Sequence, residues 1–123
     1  MTGIPVLYHG TTPEAAAALL RDGWRPHAGS VGGNCGQTRF LYLTNDPLNA
    51  LWFSEEKGAR CVLAVTGLAP GDLKVDPEDG IGETVTDEVS GDLPGSVVLW
   101  RPVCPQAFSL HPLSPTVPLP GYS

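Results

Sequence analysis

Residues 4–23, IPVLYHGTTPEAAAALLRDG, decide the fold: within them an apolar strand-like run gives way to an Ala-rich stretch across His9, Gly10, Thr11 and Thr12. The run at 4–8 reads as a short strand. Thr11 or Thr12 can cap a helix after it, and Thr11 and Glu14 stand at capping-box spacing. Pro13 suits a first helical turn, and Glu14 favours the positive end of the helix dipole. The spacing predicts a helix over 13–22, ended by Gly23.

Working outward, residues 24–38 (WRPHAGSVGGNCGQT) hold four glycines and no periodicity, and an ordered loop of this length in a small domain reads as a binding loop. Residues 40–44 (FLYLT) form a second strand, with Phe40, Tyr42 and Thr44 on one face and Leu41 and Leu43 on the other. Asn45 or Asp46 then caps a helix that starts at Pro47 and closes at Gly58, with Leu48, Leu51 and Trp52 as its expected buried stripe. Residues 60–67 read as a central strand, 73–76 as another, 81–90 as a short acidic helix, and 96–103 and 107–110 as late strands. This order predicts an α+β fold, a split, mainly antiparallel sheet with two to three short helices, rather than a doubly wound parallel one. The expected division is one domain over 1–111 and a Pro-rich extended tail over 112–123.

Composition bounds the function. The chain has 123 residues, 41% hydrophobic and 16% charged, which suits one packed domain. Seven Lys and Arg against thirteen Asp and Glu give a formal charge of −6, which disfavours nucleic acid and anionic membranes as partners. Eight of the thirteen acids lie in residues 72–92 with Lys74 as the single cation there, while all five arginines lie outside, so a local anion site is compatible with the charge. No apolar run reaches the roughly 18 residues of a membrane span and no leader is recognisable, so a cytoplasmic protein is expected. Cys35, Cys61 and Cys104 form no CxxC pair, and they read as reduced, buried or semi-buried thiols rather than a disulfide framework or a metal site.

Four places carry candidate chemistry: His9-Gly10-Thr11 at the end of the first strand, the Gly-rich loop, Tyr42, and the acids from Asp76 onward. Gly lets backbone approach a ligand closely, and the imidazole beside it offers one donor and one acceptor. The plainer alternative is a structural His with a helix-entry Gly. Tyr42 is either strand packing or a flat stacking face for a planar ring. Most of the acids read as a solvated face.

In order and spacing, LYHGTT, RFLYLTNDPLNALWF and LKVDPEDG, spread over positions 7–80, resemble the small ADP-ribosyltransferases that carry a His-Tyr-acid triad on a split sheet. The likeness is greatest to the rifamycin-modifying ADP-ribosyltransferases. The resemblance implies that NAD binds where the sheet splits, and that ADP-ribose passes from it to an acceptor as nicotinamide leaves. On it, His9 holds the adenosine ribose 2′-hydroxyl, Gly10 backbone grips the nicotinamide carboxamide, Tyr42 stacks on the nicotinamide ring, and Asp76 stabilises the charge developing on the ribose. Thr11 and Thr44, within the same motifs, join the implied NAD-contacting set, and Arg25 or Arg39 meets the pyrophosphate. Many family members start a late strand with a catalytic Glu, but Ser96 and Val97 stand there in this chain. The acid is therefore sought first at Asp76, then Glu88, then Glu83. NAD is expected as a substrate, with no metal. The acceptor is left open between a protein and a small molecule, as for a toxin or an antibiotic-modifying enzyme. Two alternatives stand beside this: a catalytically weak NAD-binding or interaction domain, and an RNA 2′-phosphotransferase-like enzyme, against which weigh the charge of −6 and the absence of a basic residue before His9.

Overall fold

The computed structural model describes residues 4–26, 40–78, 80–90 and 94–112. Strands β1 (Leu7–Thr11), β2 (Leu41–Thr44), β3 (Cys61–Val65), β4 (Leu73–Val75), β5 (Ser96–Leu99) and β6 (Phe108–Leu110) form one sheet in the order β4-β5-β2-β1-β3-β6. Every pairing is antiparallel, as the sequence predicts. Helices α1 (Pro13–Asp22), α2 (Pro47–Glu56) and α3 (Val85–Ser90) complete the α+β arrangement. No helix among the described residues is long and apolar enough to cross a membrane.

Helix α1 spans the predicted residues. Of the two candidate caps Thr12 is used, its hydroxyl accepting from the Ala15 amide at 3.2 Å. At the other end Gly23 adopts a φ of 75°, which a side chain rarely tolerates, and its N–H closes onto the Leu19 carbonyl. Ala16 and Leu19 then pack on one face of the sheet with Leu7, Leu41, Leu43, Leu63, Val97 and Leu99. The strand alternation read for β2 holds, since Leu41 and Leu43 enter this core and Tyr42 and Thr44 face away. Each such Leu or Val contributes roughly 1.5–3 kcal/mol on full burial.

Helix α2 covers the opposite face, capped by Asp46, whose carboxylate accepts from the Leu48 amide at 3.0 Å. Its expected stripe is corrected. Leu48 and Trp52 are 63% and 53% exposed, Leu51 is half-buried, and the buried positions are Ala50 and Ser54. The reason is the closeness of the helix to β1. A Cβ on Gly10 would lie 1.8 Å from the Ala50 carbonyl oxygen, so only small residues fit between helix and strand.

Further expectations are revised: the first strand, read over 4–8, is Leu7–Thr11 and takes in His9, Gly10 and Thr11, and the helix read over 81–90 is Val85–Ser90. The strand read over 96–103 ends at Leu99, one residue before the Trp100 amide makes a last ladder-like bond to the Asp72 carbonyl. Cys61 is buried, whereas Cys104 is exposed. The Gly-rich part of the binding loop (27–38, with Cys35), Arg39 and the tail from 113 onward lie outside the described residues.

Candidate functional site

Strand β1 is paired with β3 along its whole length, Leu7 to Val65 through Thr11 to Cys61, but with β2 only at Tyr8 and Thr44. The Val62 carbonyl accepts from the His111 amide, toward β6, so in the antiparallel pattern the polar backbone groups of its partner Gly10 face the other way, toward β2. Continued register would place Gly10 opposite Tyr42. The strands part there instead, and side chains take the two carbonyls that such a pair would have used. His9 Nδ1 donates to the Tyr42 carbonyl at 2.8 Å, and Lys57 Nζ donates to the Gly10 carbonyl at 3.0 Å.

His9 is buried on the α1 face, beside Leu63 in the neighbouring strand. Burial pushes its pKa down to about 4; the bond to Tyr42 opposes this and the positive charge of Lys57 adds to it. The ring is therefore neutral at pH 7. Because a carbonyl only accepts, the proton sits on Nδ1, and Nε2 is left as an acceptor. His9 and Leu41 form the floor of a cleft of about 480 Å³ whose other walls include Leu19 and Asp22 of α1 and the following Trp24 and Arg25. Trp24 is fixed by a two-way backbone bridge to Val103, 2.8 Å in each direction, which holds the exposed Arg25 beside the cleft.

On the other face of the sheet, Tyr42 is half-buried on β2, and its carbonyl is what joins it to His9. Thr44, two residues on, is buried, with its hydroxyl accepting from the Asp46 amide and the Asn49 side chain at the entry to α2. Thr11 is buried at the end of β1. Its carbonyl accepts from the Ser54 hydroxyl at 2.7 Å, and that hydroxyl in turn accepts from the Cys61 amide at 2.8 Å. Ser54 thus bridges the last pair of the β1–β3 ladder.

The acids sit away from the parting, Asp76 after β4, two strands from β2 and three from β1, and Glu88 on α3. Asp76 follows β4 and its amide bonds the Ser96 carbonyl, so Asp76, Ser96, Thr44 and Tyr8 form one row across the sheet. With strands about 4.8 Å apart, Asp76 stands roughly 10 Å from β2. It is buried, one oxygen accepting from the Ser96 hydroxyl and the other from the Glu78 amide, both at 2.8 Å. Glu88 is buried as well. One of its oxygens accepts from the Ile81 amide at 2.9 Å and the Gly82 amide at 2.5 Å, and the other from the Ser96 amide at 2.8 Å. Its carboxylate thereby ties residues 81–82 and the head of β5 to α3. Glu83 is exposed.

The structure therefore brings His9 and Gly10 to the place where the sheet parts, joins Tyr42 to His9, and sets Asp76 and Glu88 around Ser96 at a distance. Sequence reading missed Ser54, Lys57, Ser96 and Asn45. The Asn45 side chain donates to the Val89 carbonyl at 2.9 Å and accepts from the Gly95 amide at 2.7 Å, which fixes α3 and the approach to β5 against the end of β2. A Ser inside the apolar run of α2 was the one local signal among these. Among the described residues no group of three His, Cys, Asp or Glu converges to hold a metal ion. No family model, no curated protein and no solved structure matches this chain.

Proposed function

We propose that the protein is a mono-ADP-ribosyltransferase that takes NAD at the parting of β1 and β2. The observation that carries this reading is the neutral His9 at that parting, with its Nδ1 proton committed to Tyr42 and the cleft beside it. An imidazole fixed in this tautomer accepts a hydrogen bond at Nε2, which suits a ribose hydroxyl. Backbone groups of Gly10 directed toward β2 suit a carboxamide, which needs one donor and one acceptor in line. Tyr42, on the opposite face of the sheet from His9 and the cleft, supplies a stacking ring to a ligand that passes through the parting, and the Arg25 guanidinium on the cleft side supplies a counter-charge for pyrophosphate.

The chemistry asks little of acid or base catalysis. Nicotinamide in NAD is already cationic and leaves with the bonding pair of the C1′–N bond without a proton. The ribose left behind is oxocarbenium-like, and a carboxylate placed for its charge lowers the barrier, as in glycoside hydrolysis. Asp76 is the carboxylate assigned to it. An acceptor nucleophile, from a protein or a small molecule, then forms the new bond to C1′ and loses its proton.

A second reading, NAD binding without transfer, is favoured by the state of both acids: the two Asp76 oxygens are engaged by the Ser96 hydroxyl and the Glu78 amide, roughly 10 Å from β2, and the two Glu88 oxygens are engaged by backbone amides. One experiment separates the two: NAD binding followed by saturation-transfer NMR, with nicotinamide release measured in the same samples for the wild type, His9→Ala and Asp76→Asn. Transfer predicts binding and release by the wild type, with release lost in Asp76→Asn while binding persists. Binding without release by the wild type selects the second reading. If NAD neither binds nor is consumed, both fall.

A further inference from the structure

The two carbonyls at the parting of β1 and β2 are capped in physically different ways. The cap on Tyr42 is a buried imidazole on the strand itself. The cap on Gly10 is the ammonium of Lys57, an exposed residue at the C-terminus of α2. The backbone of Lys57 is already anchored, its amide bonding the Ser54 carbonyl at 2.9 Å, so its side chain can leave without moving the helix. Nor does the packing of α2 on β1 depend on that ammonium. Ser54 bridges Thr11 and Cys61, and Ala50 rests directly on Gly10.

We propose that Lys57 is a displaceable latch: its ammonium occupies the Gly10 carbonyl in the ligand-free protein and must swing away for a carboxamide-bearing ligand to enter the parting of β1 and β2. This rests on the reading that NAD binds there. An ammonium only donates, as a carboxamide NH₂ does, so both seek the Gly10 carbonyl; its two lone pairs do not by themselves exclude either, and it is the ammonium standing in the parting that makes the two compete. The competition is sharpened by charge, because the nicotinamide ring of NAD is a cation and would arrive against a second one. The affinity of the protein for NAD is then the affinity of the opened site reduced by the fraction of molecules in which Lys57 has left Gly10.

The test is calorimetric titration of NAD into the wild type, Lys57→Met and Lys57→Arg, with the His9 imidazole titrated by NMR in each. Lys57→Met keeps the stem and removes the charge, so it binds NAD about three- to tenfold more tightly. Its His9 also titrates at higher pH, since the repelling charge is gone. Lys57→Arg keeps a donor cation and stays within about twofold of the wild type. A merely structural lysine would give unchanged or weaker binding on removal. If the wild type binds NAD and Lys57→Met binds it equally or less well, the latch is overturned and the proposed function stands. If none of the three binds NAD, the proposed function is overturned and the latch with it.

Discussion

The two edges of strand β1 are made of the same five residues and behave oppositely. Toward β3 all five are in register, and where the last ladder bond would be direct, the Ser54 hydroxyl completes it between Thr11 and Cys61. Toward β2 the ladder stops after Tyr8, and the carbonyls beyond it are taken by an imidazole and an ammonium. A sheet is thus kept whole on one side and opened on the other by side chains from the strand and from α2. The opening is built into the fold: Gly10 admits α2 closely enough for Ser54 and Lys57 to reach the two edges.

Removing that close approach has the largest expected effect. Gly10→Ala puts a methyl 1.8 Å from the Ala50 carbonyl oxygen and 2.9 Å from the Ser54 amide, both backbone atoms that cannot turn aside. Destabilisation of about 3 kcal/mol or more is expected, read as a fall in Tm of roughly 10 °C or more. A variant melting like the wild type would mean that α2 does not lie on β1 in this way.

The open edge is next. His9 has a folded-state pKa of about 4 against 6.5 for the free side chain, so between these values the unfolded chain binds the proton and the folded one does not. Stability is therefore full above about pH 6.5 and falls as the pH drops toward 4, by up to roughly 3 kcal/mol. His9→Gln retains a donor for the Tyr42 carbonyl and does not titrate. Denaturant unfolding from pH 7 to pH 4 should show the extra loss in the wild type alone. Parallel curves for the two proteins would place His9 in water. On the closed edge Ser54→Ala leaves the Thr11 carbonyl and the Cys61 amide without their shared partner, at a cost of about 1–3 kcal/mol. Amide exchange quickened at Cys61, with the core of β3 still protected, is the local sign of it.

Much of the frame was legible because local chemistry agreed with it. Thr12, Pro13 and Gly23 punctuate α1 so that its limits follow from the chain, and the alternation of residues 40–44 sorts β2 into a core face and an outer face. Helix α2 was legible as a helix and not in its orientation. Leu48, Trp52 and Phe53 are large and apolar yet exposed, because the contact with Gly10 selects for small residues, and Ala50 and Ser54 turn inward at i and i+4 spacing. The candidate site divides in the same way. His9, Gly10 and Tyr42 could be picked out because they lie in two short motifs on neighbouring strands. The surroundings of Asp76 and Glu88 could not, since their partners come from residues 78, 81, 82 and 96, brought together only by the β4–β5 pairing and α3. Nothing in the spacing of Lys57 announces that it reaches Gly10, 47 positions earlier.

The proposed NAD site at the open edge of β1 is tested by a residue-resolved amide NMR titration with NAD. Saturable shifts are expected at His9, Gly10, Thr11 and Tyr42, extending to Arg25, with the β3–β6 side of the sheet unmoved. Absence of saturable shifts, or shifts gathered on the exposed Leu48 and Trp52 face of α2 instead, would contradict it.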